Sequence, residues 1–369
     1  MGRGYTEKDL VAVAKRENNN KRKYLVVNRL QGKHVPVKPG SCLEMFDALA
    51  EIVAGEYEKE KVLLIGFAET ATAVGERLAI DMGCPYMQTT RENLEGVEYL
   101  YFTESHSHAA EQKLVKTDLD RVIDDTERIV FVEDEVTTGN TILGIVELIR
   151  KEYGRKVAFS VASVLNGMDR EAEARYAAME IALHYLVKTD HSCYEETAEG
   201  YKGDGSYHGF PAEVSPFRCL DAGGYVNARR LHNGRDYEAA CQAFYARLNR
   251  WFCFRDRESV LVLGTEEFMY PAIYVAFRLE ERGCLVKCHS TTRSPIAVGT
   301  EDGYPLHERY ELHSLYEEER RTFIYDLGKY DKVFLLTDAW GECGRGISDL
   351  CKALEACGNR DINVVRWGE

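Results

Sequence analysis

Short, continuous apolar runs set the tightest limit on what this chain can fold into. "VLLIG" begins at Val62, "IVFV" at Ile129, "VAFSVASV" at Val157, "VLVLG" at Val260, "VFLL" at Val333 and "INVV" at Ile362. Runs this short and apolar on both faces suit strands buried in the middle of a parallel sheet. Between them lie stretches with helical spacing, such as Ile142, Ile145, Val146 and Ile149, or Ile273, Val275, Phe277 and Leu279 beside charged neighbours. Strand and helix in alternation predict an α/β fold with parallel sheets.

The runs also repeat as a set. "KVLLIGFAETATAVGERLAIDMGCPYMQTTR" from Lys61 and "SVLVLGTEEFMYPAIYVAFRLEERGCLVKCHSTTR" from Ser259 both read strand, glycine, acidic turn, helix, "GC", strand, "TTR". Gly66 matches Gly264, Arg91 matches Arg293, and Asp134 after "IVFVE" matches Asp338 after "VFLLT". The spacing between copies grows slowly along the chain, as small loop insertions would make it. Upstream, "YLVVNRLQG" from Tyr24 has a counterpart in "GYVNARRLHNG" from Gly224, each followed by a helix rich in Ala, Phe and Leu. An internal duplication follows. The 369 residues suffice for two domains. Apolar periodicity lapses in "DHSCYEETAEGYKGDGSYHG" from Asp190, so the expected division is a first domain over 1–190, a linker over 191–208 and a second domain over 209–369.

Composition excludes several classes of partner. A net charge of -14 opposes binding to nucleic acid, whose affinity comes largely from phosphate neutralisation by Lys and Arg. No apolar run is long enough to cross a membrane, and "MGRGYTEKDL" carries no hydrophobic signal region, so a cytoplasmic location is expected. The 11 cysteines are dispersed without CxxC pairs, which argues against structural zinc and against a disulfide framework.

The chemistry concentrates in "RIVFVEDEVTTGNTI", residues 128–142. In an α/β sheet, ligands bind beyond the carboxyl ends of strands, where a loop entering a helix turns free N–H groups outward. Thr137, Thr138, Gly139, Asn140 and Thr141 form such a loop: glycine permits close backbone approach, hydroxyls add donors, and the helix start adds its positive end. This composition fits a monophosphate cradle. It lacks the Gly-Lys-Ser/Thr ending of a nucleoside triphosphate loop. Glu133 and Asp134 stand just before it, at the reach of a ribose diol from its 5-phosphate, and two carboxylates can accept hydrogen bonds from that diol. A solvated acidic strand end or a helix cap is the plainer alternative for a bare acidic pair.

"VFVEDEVTTGNT" resembles the signature with which type I phosphoribosyltransferases bind 5-phosphoribosyl 1-pyrophosphate, PRPP. With "GKHVPV", "GFAETATAVG", "TTRE", "ESHSHA" and "TTRSP", the chain resembles the phosphoribosyltransferase followed by a TRSP domain that accompanies tellurium-resistance gene clusters. The resemblance implies two tandem Rossmann-like domains of phosphoribosyltransferase type, the second degenerate. It implies an enzyme that transfers ribosyl 5-phosphate from PRPP to a small-molecule acceptor with Mg²⁺ as cofactor, in the biosynthesis of a nucleoside-like metabolite. Alternatives are a PRPP-sensing binding protein without turnover, and a hydrolase of a phosphoribosyl or nucleotide bond.

By position, the resemblance assigns Ala68, Glu69 and Thr70 to the loop that holds pyrophosphate, and Arg91 to the basic residue that grips it; a surface salt bridge is the alternative for Arg91. It assigns "FTESHSHAAEQKL", residues 102–114, to a loop closing over the site. There His106 and His108 would donate to pyrophosphate or exchange a proton with the acceptor. Metal ligation by the two histidines competes with that role. "GKHVPVKPG", residues 32–40, corresponds to a hood over the acceptor, with His34 either functional or packed. Relatives pair two copies of one domain, which this duplication would satisfy within one chain; a homodimer is also compatible.

In the second half "LTDAWGECGRG", residues 336–346, replaces the signature. One acid of the pair is missing and the TTGNT loop is gone, so PRPP binding is not expected there. Arg293, Ser294 and Asp338, with the glycines at 341, 344 and 346, would form an anion or acceptor site, or else the half is a decayed copy kept for packing.

Overall fold

The structure is a computed structural model that describes residues 4–17, 22–102, 112–154, 157–210, 214, 216–340 and 344–368. It divides into two compact units, and packing assigns their segments differently from a cut near residue 190. The first is built chiefly from Glu44–Thr189 with Val226–Ala239, and the second from Thr6–Leu43, Asp190–Tyr225 and Ala240–Glu369.

Among the described residues, the first unit holds a six-stranded sheet. From edge to edge it runs His232–Asn233, Pro85–Gln88, Val62–Gly66, Arg128–Val136, Ala158–Asn166, Ile181–Lys188. All neighbours are parallel except His232–Asn233, which pairs antiparallel with Pro85 and Tyr86. Val62–Gly66 is buried along its whole length, as its unbroken apolar sequence requires. The helix Asn140–Tyr153 buries Ile142, Ile145, Val146 and Ile149, the stripe its spacing predicts, in one core with Leu63, Phe131 and Phe159. Helix Thr72–Met82 stops at Gly83, whose φ of 64° a side chain would disfavour.

The second unit repeats the central order with a parallel sheet: Cys219–Ala222, Ile362–Trp367, Lys332–Thr337, Ser259–Gly264, Leu285–Ser290. The duplication reaches single hydrogen bonds. In the first unit Thr89 donates its N–H to Gly66 O and accepts from Ala68 N through Oγ1; in the second Thr291 does the same with Gly264 O and Glu266 N.

The upstream counterparts, 24–32 and 224–234, separate from the sheets they precede. Val37 bridges Cys288 on the edge of the second unit's sheet, and Lys33 Nζ donates to Glu266 O. Reciprocally, residues 230–234 complete the first unit. Arg230 binds Asp118 with Nε–Oδ2 2.6 Å and Nη2–Oδ1 2.8 Å, and Leu231 N adds 3.0 Å. His232 Nε2 lies 2.9 Å from Glu76 Oε2, and Gly234 N donates to Cys84 O. A Cβ on Gly234 would lie 2.3 Å from Ala79 C, so only glycine lets this segment close on the helix beneath it. The expected linker over 191–208 is folded as part of the second unit: helix Tyr194–Gly200 buries Tyr194 and Ala198, and Ser206–His208 pairs with Glu308–Tyr310. Among the described residues no helix is long and apolar enough to cross a membrane.

Candidate active site

The first unit's strand order reverses between Val62–Gly66 and Arg128–Val136, and their carboxyl ends carry the acidic signature and its partners. Pairing between these strands ends at Gly66 and Val132, closed by Phe67 N donating to Val132 O. On its other side Arg128–Val136 stays paired with Ala158–Asn166 out to Val136. Glu133 and Asp134 are therefore held straight by one neighbour where the other has turned away, which opens the crevice a doubly wound sheet offers to ligands.

The departing loop returns to the acids. Thr70 Oγ1 donates to Asp134 Oδ1 at 2.7 Å. Ala68 N is fixed by Thr89 Oγ1 at 2.8 Å, and the Ala68–Glu69 peptide is cis. Burial pushes the Asp134 carboxyl up to about 6; the Thr70 hydrogen bond works against the shift and the Glu135 charge adds to it.

The glycine turn follows within a few residues. Gly139 has φ 69°, and a Cβ there would lie 2.3 Å from Tyr176 Oη and 2.6 Å from Met168 Cε, so the turn requires glycine on conformational and steric grounds. Tyr176 Oη donates to Gly139 O at 2.7 Å, and burial with the nearby Glu133 charge pushes its phenol up. Asn140 opens the helix, so the N–H groups of its first turn point back toward the Gly139 turn. Sequence reasoning missed Tyr176 and its neighbour Arg175, which lie on a helix, Arg170–Ala178, outside the motif; its N-cap, Asp169, accepting from Ala172 N, is legible, but its target is not.

Arg91 is half-buried one residue beyond Thr90, whose backbone pairs with Lys113. His106 and His108 lie outside the described residues. On either side of them Phe102 and Gln112 pair in an antiparallel ladder, Tyr99–Phe102 with Gln112–Val115. His34, for which a hood role and a packed role were both open, is buried, and its segment belongs to the second unit. Its "KHVPV" pattern names no sheet edge, so sequence could not assign it.

The corresponding loop of the second unit carries acids of its own. Arg293 Nε donates to Glu266 Oε2 at 2.7 Å, its Nη2 lies 3.4 Å from Glu267 Oε1, and Arg320 Nη2 lies 3.4 Å from Glu266 Oε2. Ser314 Oγ donates to Glu266 Oε1 at 2.5 Å. Asp338 is buried, accepting from Tyr316 Oη at 2.6 Å and Tyr225 Oη at 2.7 Å. Ser294 is engaged through its backbone, its N–H to Thr292 Oγ1 and its carbonyl accepting from Tyr325 Oη. A Cβ on Gly346 would lie 2.7 Å from His313 O, so that glycine serves close packing; residue 341 lies outside the described residues.

A glycine turn entering a helix, an acidic pair and a second loop tied to that pair, gathered at the switch point of a parallel sheet, are the arrangement in which α/β enzyme domains bind ligands. Residues 10–194 match the family described as phosphoribosyl transferase, and residues 230–351 match the TRSP domain C-terminal to it. The chain belongs to this phosphoribosyltransferase family. Solved structures it is similar to include adenine phosphoribosyltransferase from Rhodothermus marinus, 12% identical with TM-score 0.36, covering 49% of this chain and 96% of that one. Adenine phosphoribosyltransferase from Giardia lamblia is 13% identical with TM-score 0.37, covering 49% and 95%. Orotate phosphoribosyltransferase from Aeropyrum pernix is 17% identical with TM-score 0.32, covering 53% and 96%. No curated protein matches the chain.

Proposed function

We propose that the first unit binds PRPP and transfers its ribosyl 5-phosphate to a base-like acceptor, releasing pyrophosphate, in the biosynthesis of a nucleoside-like metabolite such as the wider resemblance to tellurium-resistance-associated proteins implies. The observation that carries this reading is the 2.7 Å hydrogen bond from Thr70 to Asp134, which joins the pyrophosphate loop to the diol-binding acids one strand end away from the cradle. Thr137–Thr141 hold the 5-phosphate, Glu133 and Asp134 accept from the ribose hydroxyls, and the Ala68–Thr70 loop with Arg91 takes the leaving pyrophosphate. The C1–O bond to pyrophosphate breaks as the acceptor nitrogen bonds to C1, and the acceptor's proton leaves to solvent or a nearby base.

Mg²⁺ fits this donor set, because the Glu133 and Asp134 carboxylates and the Thr70 hydroxyl are hard oxygen ligands bordering the place where PRPP's own oxygens would carry the ion. When bound, it supplies charge neutralisation to the departing pyrophosphate.

Titration calorimetry with PRPP and Mg²⁺, followed by pyrophosphate release over a panel of bases and small amines, tests the proposal. Binding with acceptor-dependent release supports transfer. Binding without release for any acceptor points to a sensor, and no binding removes the assignment.

A further inference from the structure

We infer that Arg175 is the cation that recognises the 5-phosphate, an inference that rests on the site proposed above. A phosphate dianion entering the cradle approaches three consecutive carboxylates, Glu133, Asp134 and Glu135, at the adjoining strand end. Backbone amides and a helix start offer only partial positive charge against that repulsion. The loop itself, Thr137–Thr141, contains no basic residue.

Helix Arg170–Ala178 supplies one from outside the motif. Two consecutive residues of this helix, Arg175 and Tyr176, reach the turn. Tyr176 Oη binds Gly139 O, while the Arg175 guanidinium reaches Asn140 Oδ1 with Nη1 at 3.3 Å and Thr138 O with Nη2 at 3.4 Å. Both guanidinium contacts exceed the usual range of about 2.7–3.2 Å, so the group is stationed beside the loop without being committed to it. Arg175 is exposed, and a guanidinium has five N–H donors in a fork that matches phosphate. A charged phosphate oxygen is a stronger acceptor than the neutral carbonyl and amide it now touches. Glu173, two residues earlier, is paired with Lys188 at 2.6 Å.

The test compares Arg175→Gln and Arg175→Lys with the wild type in the full chain, using ribose 5-phosphate and inorganic pyrophosphate as separate calorimetric probes. Glutamine keeps a donor for Thr138 O but removes the charge, and lysine keeps the charge without the fork. The expected result is a loss of about tenfold in ribose 5-phosphate affinity for Arg175→Gln, a smaller loss for Arg175→Lys, and unchanged pyrophosphate affinity. Wild-type-like ribose 5-phosphate binding by Arg175→Gln overturns the role of Arg175 alone. Equal loss for both probes overturns it as well, by showing a general disturbance of the site. A wild type that binds neither ribose 5-phosphate nor PRPP overturns the phosphoribosyl site and this role with it.

Discussion

The hydroxyl of Thr70 donates to Oδ1 of Asp134 across 2.7 Å, joining a loop to a strand more than sixty positions further along the sequence. The loop leaves the strand Val62–Gly66 and Asp134 lies near the end of Arg128–Val136, so this bond ties the two strand ends together at the switch point. Replacing Thr70 with Val keeps the shape and removes the donor. PRPP affinity should fall by about tenfold, the scale of one hydrogen bond to a charged group, while Thr70→Ser retains most of it. Equal affinities for Thr70→Val and wild type would show that the bond is incidental to the ligand.

Asp134 also sets a pH dependence. Burial raises its carboxyl from 3.8 to about 6, so the folded state holds this proton more tightly than the unfolded chain. The sign follows from linkage: the ligand-free protein loses stability as pH rises from about 4 through 6 and does not regain it above, by on the order of 3 kcal/mol. Asp134→Asn removes the ionisation. Its melting temperature should match or exceed that of the wild type at pH 7 and converge with it near pH 4, while PRPP binding is lost. Parallel pH profiles for the two proteins would show that Asp134 is not the titrating group.

The strands, the helical stripe and the glycine turn before it are legible because each is local. Val62–Gly66 is apolar without interruption, Ile142 to Ile149 keep a helical stripe, and Gly139 stands where a loop meets a helix. What sequence did not show depends on contacts between distant segments. Nothing in "RRLHNG" says that Arg230 will meet Asp118, or that residues 32–40 will join the sheet edge at Cys288 rather than the first unit. The duplication itself misleads here, because it suggests two self-contained halves. Nor does the acidic turn shared by the two repeats say that Arg293 will lie beside Glu266 and Glu267.

That exchange of segments has a consequence for truncation. A chain ending at residue 194, where the family match ends, lacks Arg230 and His232 and leaves Asp118 and Glu76, both buried, without those partners. Burial pushes the Asp118 carboxyl up, but the hydrogen bonds from Arg230 and Leu231 N hold it below the usual range. Such a fragment should be insoluble or unfolded, as judged by circular dichroism and sedimentation. In the full chain, Arg230→Ala should cost about 2–3 kcal/mol, moderated by the partial exposure of the guanidinium. A soluble fragment of native helicity would show that residues 226–239 are dispensable to the first unit.

Arg293 invites the opposite expectation from the one its position suggests. It matches Arg91 in the repeat, yet its guanidinium lies between the carboxylates of Glu266 and Glu267, whose side chains are fully buried. A pyrophosphate at this loop would have to compete with fixed internal carboxylates and would meet their repulsion, so Arg293 acts in packing the second unit. Arg293→Ala should destabilise that unit by about 3 kcal/mol, since it removes a cation that contacts both buried carboxylates. All three tryptophans, Trp251, Trp340 and Trp367, belong to the second unit, so tryptophan fluorescence during urea unfolding reads this change directly. PRPP affinity measured by calorimetry under native conditions should stay at the wild-type value. An Arg293→Ala protein with an unchanged unfolding midpoint and a selective loss of acceptor turnover would instead place Arg293 in an acceptor site.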